Sequence, residues 1–143
     1  MQTDITNSED LIDSRDVIAR IEALWDERSA LQDTADDADE DDATRIQALN
    51  DLEAWDKSDE SRELAALQAL AKQGEAYAPH WEHGETLIRS TYFVEYAEDL
   101  AKDCDGLPRD LPAYIEIDWE TTAENIKVDY TEIDFDGVPY LIR

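Results

Sequence analysis

The chain is poor in the residues that usually carry chemistry or report a compartment. Its single cysteine, Cys104, excludes an internal disulfide framework and fits a reducing compartment. Four glycines and four prolines leave no phosphate-cradling loop, and neither a GxSxG elbow nor an HExxH pair is present. No apolar run approaches the ~18 residues of a membrane span. The start, Met1-Gln2-Thr3-Asp4, lacks the basic and apolar regions of a secretory signal, so a cytoplasmic protein is expected. Basic residues are few beside the acidic ones. Twelve Lys and Arg face 38 Asp and Glu among 143 residues, for a formal net charge of −26. The twelve form no patch, which opposes direct nucleic-acid binding, and an anionic membrane would repel the chain.

What is present is carboxylate, with enough apolar residue to fold. A mean hydropathy of −0.64 leans toward disorder, but 42% apolar residues, four Trp and six Tyr supply one modest core. Solubility needs a net charge of only ~2–8 in magnitude, and self-repulsion beyond that opposes compaction. Duplex DNA carries about one charge per ~1.7 Å of axis, so this surplus equals that of roughly 13 base pairs. The charge therefore predicts a protein that imitates DNA and occupies the basic DNA-binding surface of another protein. An acidic helical adaptor or chaperone for a basic partner is the alternative in a different class.

The expected fold is mostly α with an α+β C-terminal part. Residues 1–13 read as a flexible N-terminus, 14–76 as an acidic helical unit and 77–143 as an α+β subdomain. In the helical unit, Ser14 as N-cap precedes Val17, Ile18, Ile21, Leu24, Trp25 and Leu31 at helical spacing. Residues 33–42, DTADDADEDD, hold seven carboxylates without apolar periodicity and read as a solvated connector, with Asp41 or Asp42 capping the next helix. Ile46, Leu49, Leu52 and Trp55 write that helix; Leu64, Leu67, Leu70 and Ala71 write a third that closes at Gly74. Their stripes must pack together as a helical hairpin or three-helix unit.

Past residue 76 the pattern changes. YAPHWEHG (77–84) reads as an aromatic loop, followed by a helix from about Glu85 through Phe93, Tyr96, Ala97 and Leu100 to Cys104, kinked near Ser90–Thr91. Gly106 suits a helix stop and Leu107–Pro112 a linker; Asp118 caps a short helix whose inner side is Trp119, Ala123 and Ile126. TEIDF-DG-VPYLIR reads as a hairpin around a type I′ Asp136-Gly137 turn, pairing Phe135 with Val138, Ile133 with Tyr140 and Thr131 with Ile142. Pro139 marks Val138–Arg143 as an edge strand. The Phe135/Ile133/Tyr140 face should pack on the Tyr96/Leu100 and Trp119/Ile126 helices.

Candidate chemistry is thin. An EF-hand alignment of Asp37, Asp39 and Asp41 puts Asp42 at the obligatory glycine and Ala48 at the bidentate glutamate, so it fails at both. His80 and His83 could share a zinc with Glu82, Glu85 or Cys104, but a lone HxxH pair is weak, and no metal or other cofactor is assigned. With two neighbouring histidines and no nucleophile motif, no enzymatic activity is expected.

Residues 90–143, STYFVEYAEDLAKDCDGLPRDLPAYIEIDWETTAENIKVDYTEIDFDGVPYLIR, resemble the C-terminal domain of the ArdA antirestriction family. The matching elements are the tyrosine-bearing helix Tyr92–Gly106, the leucine-proline segment Leu107–Leu111, and the Tyr114-Ile115 and Asp118-Trp119 pairs. The β-stranded end Asp129–Tyr140 completes them. Glu124-Asn125-Ile126 stands where the family has Arg-Asp-Leu. The resemblance implies inhibition of bacterial DNA-targeting defence enzymes, such as type I restriction–modification complexes, by DNA mimicry inside the bacterial host of a phage or mobile element. An anti-CRISPR protein using the same electrostatics is a variant that sequence does not separate, and homodimerisation stays open. The carboxylates expected to meet the partner form two groups: Asp36, Asp37, Asp39, Glu40, Asp41 and Asp42, then Glu95, Glu98, Asp99, Asp103 and Asp105.

Overall fold

A computed structural model describes residues 5–104 and 111–143. The element order is β1 (Leu11–Asp13), α1 (Ser14–Asp36), α2 (Asp42–Asp56), α3 (Asp59–Tyr77), β2 (Thr86–Arg89), a 3₁₀ turn (Ser90–Tyr92), α4 (Phe93–Cys104), α5 (Trp119–Lys127), β3 (Thr131–Phe135) and β4 (Val138–Ile142). The protein is mostly α, with a four-stranded antiparallel sheet of order β1-β2-β4-β3 that ends in the C-terminal hairpin.

Three helix starts follow local capping chemistry. Asp41, Ser58 and Asp118 cap α2, α3 and α5 through side-chain oxygens that accept backbone N–H groups. The first helix differs from expectation. Asp13, not Ser14, is the N-cap of α1, and its carboxylate accepts from Arg15 N at 2.8 Å. Ser14 is fully buried: its hydroxyl donates to the Trp81 carbonyl at 2.8 Å and accepts from Glu85 N–H at 2.7 Å. A buried hydroxyl must satisfy its hydrogen bonds within the protein, so this serine ties α1 to the 81–85 loop instead of terminating a helix.

The sheet separates two helical layers. Alternate residues of a strand point to opposite faces. Leu87, Tyr140 and Ile142 therefore join Val17, Leu24, Leu64, Leu67 and Leu70 under the N-terminal helices. Ile88 and Leu141 instead meet Phe93, Ala97 and Ala123 of α4 and α5, where Phe93 also packs edge-on against Tyr130 at 5.1 Å between ring centres. One apolar cluster thus runs across residue 76, joining helical unit and sheet.

This arrangement corrects several expectations. Residues 11–13 form an edge strand paired Leu11–Ile88, Ile12–Leu87 and Asp13–Thr86, with Ile12 buried, instead of belonging to a frayed tail. Thr86–Arg89 is a strand, not the start of a helix from Glu85; a short apolar run covered on both faces carries no period-2 signal. The hairpin register holds at every predicted pair, and Asp136 (φ 50°) and Gly137 (φ 88°) take the left-handed conformations a type I′ turn requires. Its place in the sheet does not hold: β4 is interior and β3 is the edge. Pro139 is tolerated because the β2–β4 ladder runs only through Tyr140 and Leu141, and Pro139 lies beyond its end. The Phe135/Ile133/Tyr140 face packs on the N-terminal helices, not on α4 and α5.

Two further departures lie in the helical unit. Gly74 does not end α3, which continues to Tyr77, because the glycine is a seat for the Trp81 ring. Ile46 and Leu49, read as core positions of α2, are more than half exposed, and Ala48, Leu52 and Trp55 form its buried face. The expected Gly106 stop and the linker up to residue 110 lie outside the described residues.

Candidate partner-binding surface

The acidic segment Asp36–Asp42 closes the α1–α2 hairpin. Asp36 ends α1 and accepts from Gln32 Nε2 at 2.9 Å; Asp37 turns back to accept from Asp39 N–H at 2.9 Å. Asp41 accepts from Thr44 N–H at 2.6 Å, and hydrogen bonding by Thr44 holds its carboxyl below the ordinary aspartate range. Asp42 pairs with Arg45. Asp39 and Glu40 are exposed, and no side-chain partner engages either among the described residues. These roles are those of a turn, and Asp37 and Asp41 each commit one carboxylate oxygen to a backbone N–H group.

The second group lies on α4. Phe93 and Ala97 face the sheet and Ala101 is also buried, which leaves Glu95, Asp99 and Asp103, each four residues apart, as an exposed stripe. Glu98 is partly buried and pairs with Lys102 at 3.0 Å. Asp105 lies outside the described residues. Because α4 covers the sheet face opposite α1–α3, the two predicted groups belong to opposite helical layers.

A larger array becomes visible once α2 is seen folded back along α1. Residues 14–56 carry fourteen carboxylates, and all fourteen are exposed. The eight that sequence reasoning did not select are Asp16, Glu22, Asp26, Glu27, Asp33, Asp51, Glu53 and Asp56. Their signal was present as the polar faces of two helices, but only antiparallel pairing sums those faces. The four arginines of this stretch are all engaged: Arg15 with Asp13, Arg20 with Glu63, Arg28 with Asp56 and Arg45 with Asp42. The Arg20 pair, at 2.6 and 2.9 Å, is largely buried and clamps α1 to α3. At 1.5 Å per residue α1 is roughly 34 Å long. A duplex of that length carries about 20 charges, so the hairpin's ten-charge excess is about half the duplex density.

Little else gathers into a site. His80 and His83 are both exposed on the turn before Gly84, and among the described residues no three His, Cys, Asp or Glu side chains are placed to hold a metal. A cleft of about 310 Å³ between residues 5–7, α3 and the hairpin turn is lined by Ile5, Asn7, Glu60, Glu63 and Asp136 among others, with no histidine, serine or cysteine. Among the described residues no helix is long and apolar enough to cross a membrane. No family model, curated protein or solved structure shows significant similarity to the chain.

Proposed function

We propose that this protein is a non-enzymatic DNA mimic. It would act in the bacterial cytoplasm, where the α1–α2 hairpin occupies the DNA-binding groove of a DNA-targeting defence complex of the type I restriction–modification kind. The observation that carries the reading is the hairpin itself: fourteen exposed carboxylates on a rod of roughly 34 Å, with every arginine of the rod already ion-paired. Such a surface presents fixed negative charge to lysines and arginines that otherwise hold phosphates, and it associates fast and with strong salt dependence. The acidic character of α4 is then peripheral to binding, and the ArdA-like reading of residues 90–143 assigns the C-terminal part to the same class of inhibitor.

The test is competition. Purified type I restriction complex, labelled duplex and this protein are combined in a mobility-shift assay across a salt series. The duplex should be released in proportion to added protein. Surface ion pairs are worth ~0–1 kcal/mol each, so a single Asp26→Asn or Glu53→Gln change should weaken inhibition by less than about fivefold. Neutralising Asp26, Glu27, Asp33, Glu40, Asp51 and Glu53 together should abolish it. A ternary complex with duplex still bound would instead identify an adaptor.

A further inference from the structure

The α1–α2 hairpin carries a feature that a duplex does not: large apolar side chains in the middle of its acidic surface. Trp25 is 50% exposed, Leu49 51% and Ile46 57%. Trp25 follows the buried Leu24, and Leu49 follows the buried Ala48. One residue is a rotation of ~100° about a helix axis. In an antiparallel pair, equal rotations from the facing surfaces reach the same flank. The Arg28–Asp56 ion pair, at 2.9 Å, bridges the helices on that flank. The shallow groove between them, which includes Thr34 and Gln47, opens on the other. Ile46 lies one turn from Leu49. Glu22, Asp36 and Glu53 occupy the rim of the same flank by the same rotation.

We infer that Trp25, Leu49 and Ile46 form an apolar docking strip for a basic amphipathic segment of the partner, with apolar side chains on the strip and lysines or arginines on the surrounding carboxylates. This deepens the reading of the protein as a ligand for a basic surface and rests on it. A second copy of this chain is the wrong occupant on charge, since each copy carries −26. Half-exposed tryptophan ringed by polar groups is the composition of an interface hot spot, where one aromatic anchor supplies much of the affinity. The consequence is a division of labour: carboxylates set the association rate and salt dependence, whereas the strip holds affinity that salt does not screen.

Two synthetic peptides of equal positive charge test this on the full chain. One is an amphipathic helix with leucines at i, i+3, i+4 and i+7 among lysines; the other replaces those leucines with serines. At low salt both should bind. At about 1 M salt, where the screening length is ~3 Å, only the leucine peptide should remain bound. Trp25→Gln and, separately, Leu49→Gln should each weaken that residual binding by about tenfold or more. They should leave low-salt binding of the serine peptide within about twofold. Far-ultraviolet circular dichroism establishes that each variant is folded. Wild-type affinity of both variants for the leucine peptide would overturn the strip while leaving the charge reading intact. Failure of both peptides at low salt would overturn the two together. A dimer of the free protein that Trp25→Gln dissociates would assign the strip to a second copy instead.

Discussion

Replacing Gly74 with alanine tests how the helical layer is seated on the sheet. A Cβ at position 74 would lie 2.3 Å from Trp81 Cζ3 and 2.4 Å from Cε3, where carbon atoms normally approach no closer than ~3.5 Å. The ring must therefore retreat by more than ~1 Å. It has little room to do so, being 2% exposed, with its own carbonyl held by the Ser14 hydroxyl. Overpacking of this kind costs ~1–3 kcal/mol, and this contact belongs at the upper end. Alanine's better helix propensity returns ~1 kcal/mol. The expected net loss is about 2 kcal/mol, read as a lower urea midpoint with an unchanged m-value. Trp81→Leu should be destabilising alone yet relieve Gly74→Ala in the double variant, giving a favourable coupling energy. If Gly74→Ala were neutral or stabilising, the glycine would be an ordinary weak point of α3 and the Gly74–Trp81 seat would be wrong.

Three other outcomes follow from the same framework. Ser14→Ala leaves the Glu85 N–H and the Trp81 carbonyl without their side-chain partner; a loss of about 2–3 kcal/mol is expected in chemical denaturation, and a loss under ~0.5 kcal/mol would refute the tie. Burial pushes the Tyr140 phenol up to about 12, and its hydroxyl donates to the Glu9 carbonyl. With the folded value above the unfolded one near 10, its contribution to stability is complete below pH ~10 and disappears as the pH rises toward about 12. Phenolate absorbance should show this tyrosine ionising last, and Tyr140→Phe should flatten the alkaline loss. Gln73 pairs with both backbone groups of Asp134, donating to its carbonyl at 2.8 Å and accepting its N–H at 2.9 Å, and so covers the β3 edge. Gln73→Ala keeps helix propensity but opens that edge; concentration-dependent association, followed by light scattering, should rise, and its absence would show that the edge needs no cover.

Features set by local chemistry were legible in the chain. The Asp136-Gly137 turn and its strand register depend on residues in contact along a few positions, and the predicted pairs are the observed ones. The caps at Asp41 and Asp118 are equally local, as is the polar turn between α1 and α2. Features that depend on what covers a segment were not legible. Thr86–Arg89 became a strand, and Leu11–Asp13 its neighbour, because a sheet forms between two helical layers, and no short window contains both layers. The buried serine at position 14 needed Trp81 and Glu85, remote in sequence, to become a tie instead of a cap.

The candidate surface divides along the same line. Composition alone determined that the protein carries a net charge of −26, because charge sums without regard to conformation. Only the tertiary structure decided which carboxylates share a surface. It placed Glu95, Asp99 and Asp103 across the sheet from Asp36–Asp42, and it laid α2 along α1 so that two polar faces became one rod. The reason is distance: electrostatic action falls off within ~8–10 Å in salt, and residues far apart in sequence enter that range only when the core packs them there.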